Sequence, residues 1–127
     1  ALELKQLVEL EAEKLSLSQE LLNRGINDGF SGGEKKKMEI LQMRVFKPKL
    51  LILDEIDSGL DIDALAMIAT NIVEMVKENR MSVLVITHYQ RILNYLIPDK
   101  VAVMKDGTIV EQGGREIARR LEKHGYK

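Results

Sequence analysis

The chain has 127 residues, a length suited to one domain. Its 19 Lys and Arg balance 20 Asp and Glu, and the formal net charge of −1 argues against a surface built to coat DNA or RNA. Apolar residues make up 45%, enough to bury a core, and the absence of cysteine excludes disulfides and any Cys-ligated zinc, haem or iron–sulfur group on this chain.

No run approaches the ~20 apolar residues of a membrane span. The first stretch, Ala1–Leu15, carries too many Glu and Lys for a signal peptide. The chain opens without Met and already inside a helical pattern, which predicts a segment of a longer protein. Residues 1–15 form that pattern, with Leu4, Leu7, Val8, Glu11 and Leu15 at helical spacing. Ser18 is placed to cap a short helix through Leu22, and Asn23–Phe30, with Gly25, Asn27, Asp28 and Gly29, reads as a loop. A long helix is predicted from Ser31 to about Phe46, stopped by Lys47-Pro48 because proline disfavours helix at the preceding residue.

The pattern then changes. Leu50-Leu51-Ile52-Leu53 is continuously apolar, as expected of a parallel strand buried on both faces, and Val83-Leu84-Val85-Ile86 repeats it. Between them, residues 62–79 read as a helix with Leu65, Ile68, Ala69, Ile72 and Val76 on one face. A short helix follows near Gln90–Tyr95. Val101–Lys105 and Thr108–Glu111 flank the two-residue turn Asp106-Gly107, and a last helix spans about Glu116–His124 after Gly113-Gly114. The order predicts an α/β fold with a parallel sheet core (48–127) behind a helical front (1–47).

Ligands of open parallel sheets bind beyond the carboxyl ends of the strands. There the first strand is followed by Asp54 and Glu55, the second by Thr87 and His88. Adjacent carboxylates at such a place cost stability unless compensated. A hydrated magnesium ion compensates them if one carboxylate serves the metal and the other an attacking water. The alternative is that Asp54 caps the loop and Glu55 faces solvent. Ser31 and Glu34 have the spacing of a capping box, which accounts for those two residues but not for Gly32 and Gly33 between them. Each helical glycine costs about 1 kcal/mol relative to alanine. Bare amides at a helix N-terminus, open to a phosphate, give a reason to keep them.

Together these segments resemble the ATP-binding-cassette (ABC) ATPases. Phe30-Ser31-Gly32-Gly33-Glu34 is similar to their signature motif and Leu50–Glu55 to their Walker B strand. Ser58-Gly59-Leu60-Asp61 is similar to their D-loop and Thr87-His88 to their switch histidine. Within them, Gly29–Lys37, Ile40-Leu41-Gln42, Asp57–Leu65, Thr87–Leu93 and the tail Leu121–Tyr126 resemble the SufC family, the ATPases of SUF iron–sulfur cluster assembly. The resemblance covers the whole chain as the C-terminal half of such a P-loop ATPase.

That resemblance implies a cytoplasmic ATPase using ATP and Mg2+. It would partner SufB/SufD-type scaffold proteins rather than a membrane transporter or nucleic acid. Asp54 would hold magnesium, Glu55 would orient and deprotonate the attacking water, and His88 would touch the γ-phosphate. Ser31, Gly32 and Gly33 would contact ATP held by the opposite subunit of a head-to-tail homodimer, and Ser58 and Asp61 would cross its interface. One part of the pattern is missing. None of the nine glycines is followed by lysine, so the chain has no Gly-x-x-x-x-Gly-Lys-Ser/Thr phosphate loop. The chain by itself is therefore expected not to hydrolyse ATP. Three rivals remain at this stage. They are the C-terminal lobe of an SMC-type or DNA-repair ATPase, a transporter's nucleotide-binding subunit, and a non-catalytic interaction module.

Overall fold

A computed structural model describes residues 1–25 and 28–125. Asn27 of the expected loop and Tyr126 of the family-like tail lie outside the described residues. In chain order the elements are α1 (Leu2–Lys14), α2 (Gln19–Asn23), α3 (Gly32–Phe46), β1 (Leu50–Asp54) and α4 (Ile62–Asn79). They continue with β2 (Ser82–Ile86), a 3-10 turn (Gln90–Asn94), β3 (Val101–Lys105), β4 (Thr108–Gly113) and α5 (Arg115–His124).

Local chemistry sets most of these boundaries. The Ser18 hydroxyl accepts the Leu21 N–H and starts α2. Ser31 and Glu34 form a reciprocal capping box that starts α3, and Asp61 caps α4 by accepting the Ala64 N–H. Lys47, in the left-handed region just before Pro48, ends α3. Asp106 and Gly107 both have positive φ, the requirement of a type I′ hairpin turn. Beyond that turn β4 carries an irregularity that its sequence did not announce: the register shifts between Val103 and Met104.

The strands β1 and β2 pair in parallel, with Leu50 opposite Ser82 and Asp54 opposite Ile86. Leu51 and Leu53 point down onto α4, whose Leu65, Ile68, Ala69, Ile72 and Met75 are buried. The same apolar cluster takes in Ala12, Leu15 and Leu17 from the front and Ile40 and Leu41 from α3, so it crosses residue 47 without a break. Leu4, expected on the inner face of α1, is exposed, and Ala12 fills the core place instead.

One expectation is corrected. The two strands are buried on one face only. Leu50 and Ile52 are each 58% exposed, Leu84 51% and Ile86 48%. A parallel sheet needs a covering layer on each side, and among the described residues this sheet is covered on the α4 side alone. Covering these four side chains would be worth on the order of 1 kcal/mol each.

The front is clamped to α4 by a buried ion pair. Arg44 of α3 donates from Nε to Glu11 of α1 at 2.5 Å and from Nη1 to Asn71 of α4 at 3.0 Å, with Glu74 at 3.5 Å. Glu11 also accepts from Lys14 at 2.9 Å. Burial pushes the Glu11 carboxyl up, but its bonds to Arg44 and Lys14 and their positive charges outweigh burial and hold it below the ordinary carboxylate range. We predict that Arg44→Ala, which strands Glu11, lowers unfolding free energy by about 3 kcal/mol in urea titration. Because the folded pKa of Glu11 is depressed, its contribution is present above the unfolded value and is lost as pH falls through the folded one. Glu11→Gln should therefore flatten that part of the acid limb of stability.

Candidate functional site

Parallel pairing places the turns after β1 and β2 side by side. Glu55 leaves β1 in the left-handed region, with φ 47°, a conformation costing a non-glycine residue about 1 kcal/mol. Two backbone bonds hold it there. The Glu55 N–H donates to the Ile86 carbonyl at 2.8 Å, prolonging the parallel ladder, and the Glu55 carbonyl accepts from Ser58 N at 3.1 Å. The result brings the Glu55 carboxylate 3.1 Å from His88 Nδ1 across a sequence gap of 33 residues. A carboxylate only accepts, so Nδ1 donates in this contact. Both side chains are about half exposed, and the His88 ring packs at 4.0 Å from that of Tyr89.

Asp54, at the carboxyl end of β1, is exposed. It borders an open groove that also meets Lys36, Gln42, Phe46 and Ile52, so α3 lies alongside β1 and reaches its carboxyl end. No cluster of three or more metal-ligating side chains exists among the described residues. A single exposed carboxylate still suits magnesium, which keeps most of its waters and completes its shell with substrate phosphates. Asp54 thus fits the ion without a protein cage.

The N-terminus of α3 follows a simple account of its amides. Ser31 N donates to Glu34 Oε2 at 2.7 Å, and Glu34 N donates to Ser31 Oγ at 3.2 Å. Those two bonds use the two non-glycine amides. No hydrogen bond among the described residues takes the N–H of Gly32 or Gly33, both of which are exposed. A Cβ built on either glycine meets nothing within 4 Å, and neither has positive φ. Folding of this chain therefore gives no reason for glycine there. Hydrogen bonding by Ser31, chiefly from its backbone N–H, holds the Glu34 carboxyl below its usual range.

Of the residues expected at the site, Glu55 and His88 meet directly. Ser31 makes its polar contacts with Glu34 at the start of α3, where the amides of Gly32 and Gly33 stay open. Ser58 is exposed on the turn after β1, and Asp61 spends its carboxylate on the α4 cap, a local structural role. Sequence reading missed Asp57 and the Thr87 hydroxyl. Asp57 is completely buried and accepts from Thr87 Oγ1 at 2.8 Å. The available signal was a third acid close behind the strand, opposite a threonine ending the next one. Its burial was invisible without the register.

No profile of a known protein family matches the chain. The chain is 55% identical over 114 residues to vegetative protein 296 of Bacillus subtilis, covering 90% of this chain and 43% of that protein. It is 52% identical over 122 residues to a probable ATP-dependent transporter of Synechocystis, covering 96% of this chain and 47% of that protein. It spans about half the length of these relatives. Among solved structures it superposes on an ATP-binding cassette of an ABC transporter in its ADP conformation. That match has TM-score 0.74 and 27% identity and covers 96% of this chain and 47% of the other. It also matches a part of an ABC transporter complex from Clostridium perfringens, with TM-score 0.67 and 30% identity, covering 94% and 49%.

With open space around both glycines, Gly33→Ala should leave folding stability unchanged or raise it by up to about 1 kcal/mol. Urea unfolding of the two proteins side by side checks this, and a clear loss would show a packing role for the glycine.

Proposed function

We propose that this chain, which has the fold of the C-terminal half of an ATP-binding-cassette ATPase and sequence relatives of that kind, supplies the hydrolytic residues of such an ATPase. The observation that carries this reading is the Glu55–His88 contact at the ends of the parallel strands. It supports a carboxylate held where it can take a proton from water and an imidazole beside it to meet the γ-phosphate. Magnesium, held by Asp54, would supply charge to offset the phosphate oxygens. The unpaired amides of Gly32 and Gly33 would bind the γ-phosphate of ATP carried by a second subunit, in a head-to-tail dimer, with Ser58 and Asp61 at the interface.

Such a site needs a phosphate loop, which none of the 127 residues provides. In this reading the loop lies elsewhere in the complete protein, whose additional part also covers the bare face at Leu50, Ile52, Leu84 and Ile86. A split site would hydrolyse ATP only on closure, coupling turnover to movement. The finer assignment is to SUF iron–sulfur cluster assembly with SufB/SufD-type partners. It is supported by the run Asp57–Leu65 and by Thr87–Leu93, which resemble the SufC family.

A second reading is favoured by the names of relatives such as the probable ATP-dependent transporter of Synechocystis. There the protein is the nucleotide-binding subunit of a transporter. Among the described residues no helix is long and apolar enough to cross a membrane. Affinity purification of the complete protein distinguishes the two. Recovery with scaffold proteins supports cluster assembly, and recovery with an integral membrane protein supports transport.

In the complete protein, Glu55→Gln should bind ATP with affinity near that of the unchanged protein while turnover falls by about 10²-fold or more. Equilibrium binding together with phosphate release measures both, and unchanged release would remove Glu55 from the proton-accepting role. Gly33→Asp, which sets a negative charge at the open amides, should weaken ATP-driven dimerisation in analytical ultracentrifugation. Dimers of undiminished strength would return Gly33 to a mere helix start.

A further inference from the structure

Resting on the ATPase reading above, we infer that Asp57 and Thr87 form a latch between the two strand ends that sets the position of Glu55 and His88. Asp57 is fully buried, yet only one of its carboxylate oxygens is used. Oδ2 accepts from Thr87 Oγ1 at 2.8 Å, and Oδ1 is buried with no partner among the described residues. A carboxylate that merely filled this place would be better replaced by an apolar side chain, because an unpaired buried oxygen is costly. The carboxyl group is therefore kept for what its one bond does.

That bond ties the critical turns at two points. Thr87 Oγ1 accepts from the Tyr89 N–H at 2.9 Å, so the hydroxyl spans His88 from the residue before it to the residue after it. A hydroxyl has one hydrogen, and Asp57 Oδ2 at 2.8 Å is a nearer acceptor for it than the Tyr89 carbonyl at 3.1 Å. Asp57 in turn sits two residues after Glu55, inside the turn closed by the Ser58 N–H on the Glu55 carbonyl. The latch thus holds the His88 turn against the Glu55 turn, and the exposed 3.1 Å contact between their side chains rests on a partly buried bond. Asp57 and Thr87 are positioning residues. They need touch neither nucleotide nor water to act.

The test uses the complete protein, four single variants and one double variant, read by ATP turnover, nucleotide affinity and the ring resonances of His88 in nucleotide-free protein labelled with 15N-histidine. Thr87→Val keeps the shape and removes the donor. It should lower kcat by about 10- to 100-fold with KM within about threefold, and should shift the His88 ring signals. Thr87→Ser should restore both to near the unchanged values, and Asp57→Asn, which keeps an oxygen acceptor, should stay close to them. Asp57→Ala should match Thr87→Val, and the double variant should lose no more than either alone. If Thr87→Val does not fold, Thr87→Val combined with Asp57→Leu removes the stranded charge and takes its place. Turnover and His88 signals unchanged in Thr87→Val would overturn the latch, as would a loss of turnover matched by an equal loss of nucleotide affinity. Absence of ATP hydrolysis by the unchanged complete protein would instead defeat the ATPase reading, and the His88 signals would still decide the latch.

Discussion

The register of β1 on β2 is the constraint on which the site depends. Leu50 opposite Ser82 and Asp54 opposite Ile86 make the two strands end level. Whatever follows each strand then emerges at one edge, and the Glu55 N–H bond to the Ile86 carbonyl carries the pairing one residue past the strands. A slip by one residue would turn Leu51 and Leu53 away from α4, so apolar burial enforces the register strongly. The energy that sets the chemistry is thus spent in the core, below the site. Glu55 can occupy an unfavourable backbone region because one ladder bond and one turn bond hold it there.

The second candidate element is a helix end, and its placement has a separate cause. The Arg44 clamp joins α1, α3 and α4 near the far end of α3. A rigid helix of 15 residues, about 22 Å long, transmits that anchoring to Gly32 and Gly33 at its other end. The capping box then determines which amides remain open. Ser31 and Glu34 satisfy each other, and the N–H groups of the two glycines keep no partner among the described residues. Two glycines without contacts or positive φ are a debit in folding that an external partner can offset.

Apolar residues left exposed on the upper face of the sheet have the same logic. Their side chains lie on the face away from α4, in one layer with the Asp54 carboxylate. A layer packed there would bury them and also enclose the acidic edge, where a lower local dielectric strengthens charge interactions. Fold stability and the electrostatics of the site are therefore linked through that one surface.

Element positions were legible in the sequence because the forces that set them act over a few residues. Ser18, Ser31 and Asp61 cap helices through bonds three residues long, Pro48 limits α3, and Asp106-Gly107 makes its turn alone. The acidic pair after β1 and the histidine after β2 were legible for the same reason, as residues adjoining apolar runs. Tertiary structure alone decided which of them meet. Glu55 with His88, Asp57 with Thr87 and Arg44 with Glu11 are joined across 33, 30 and 33 residues. Each contact depends on a strand register or a helix crossing that no local pattern encodes. The bare sheet face was likewise settled by what packs against it, since an apolar run reads the same whether one side or both are covered.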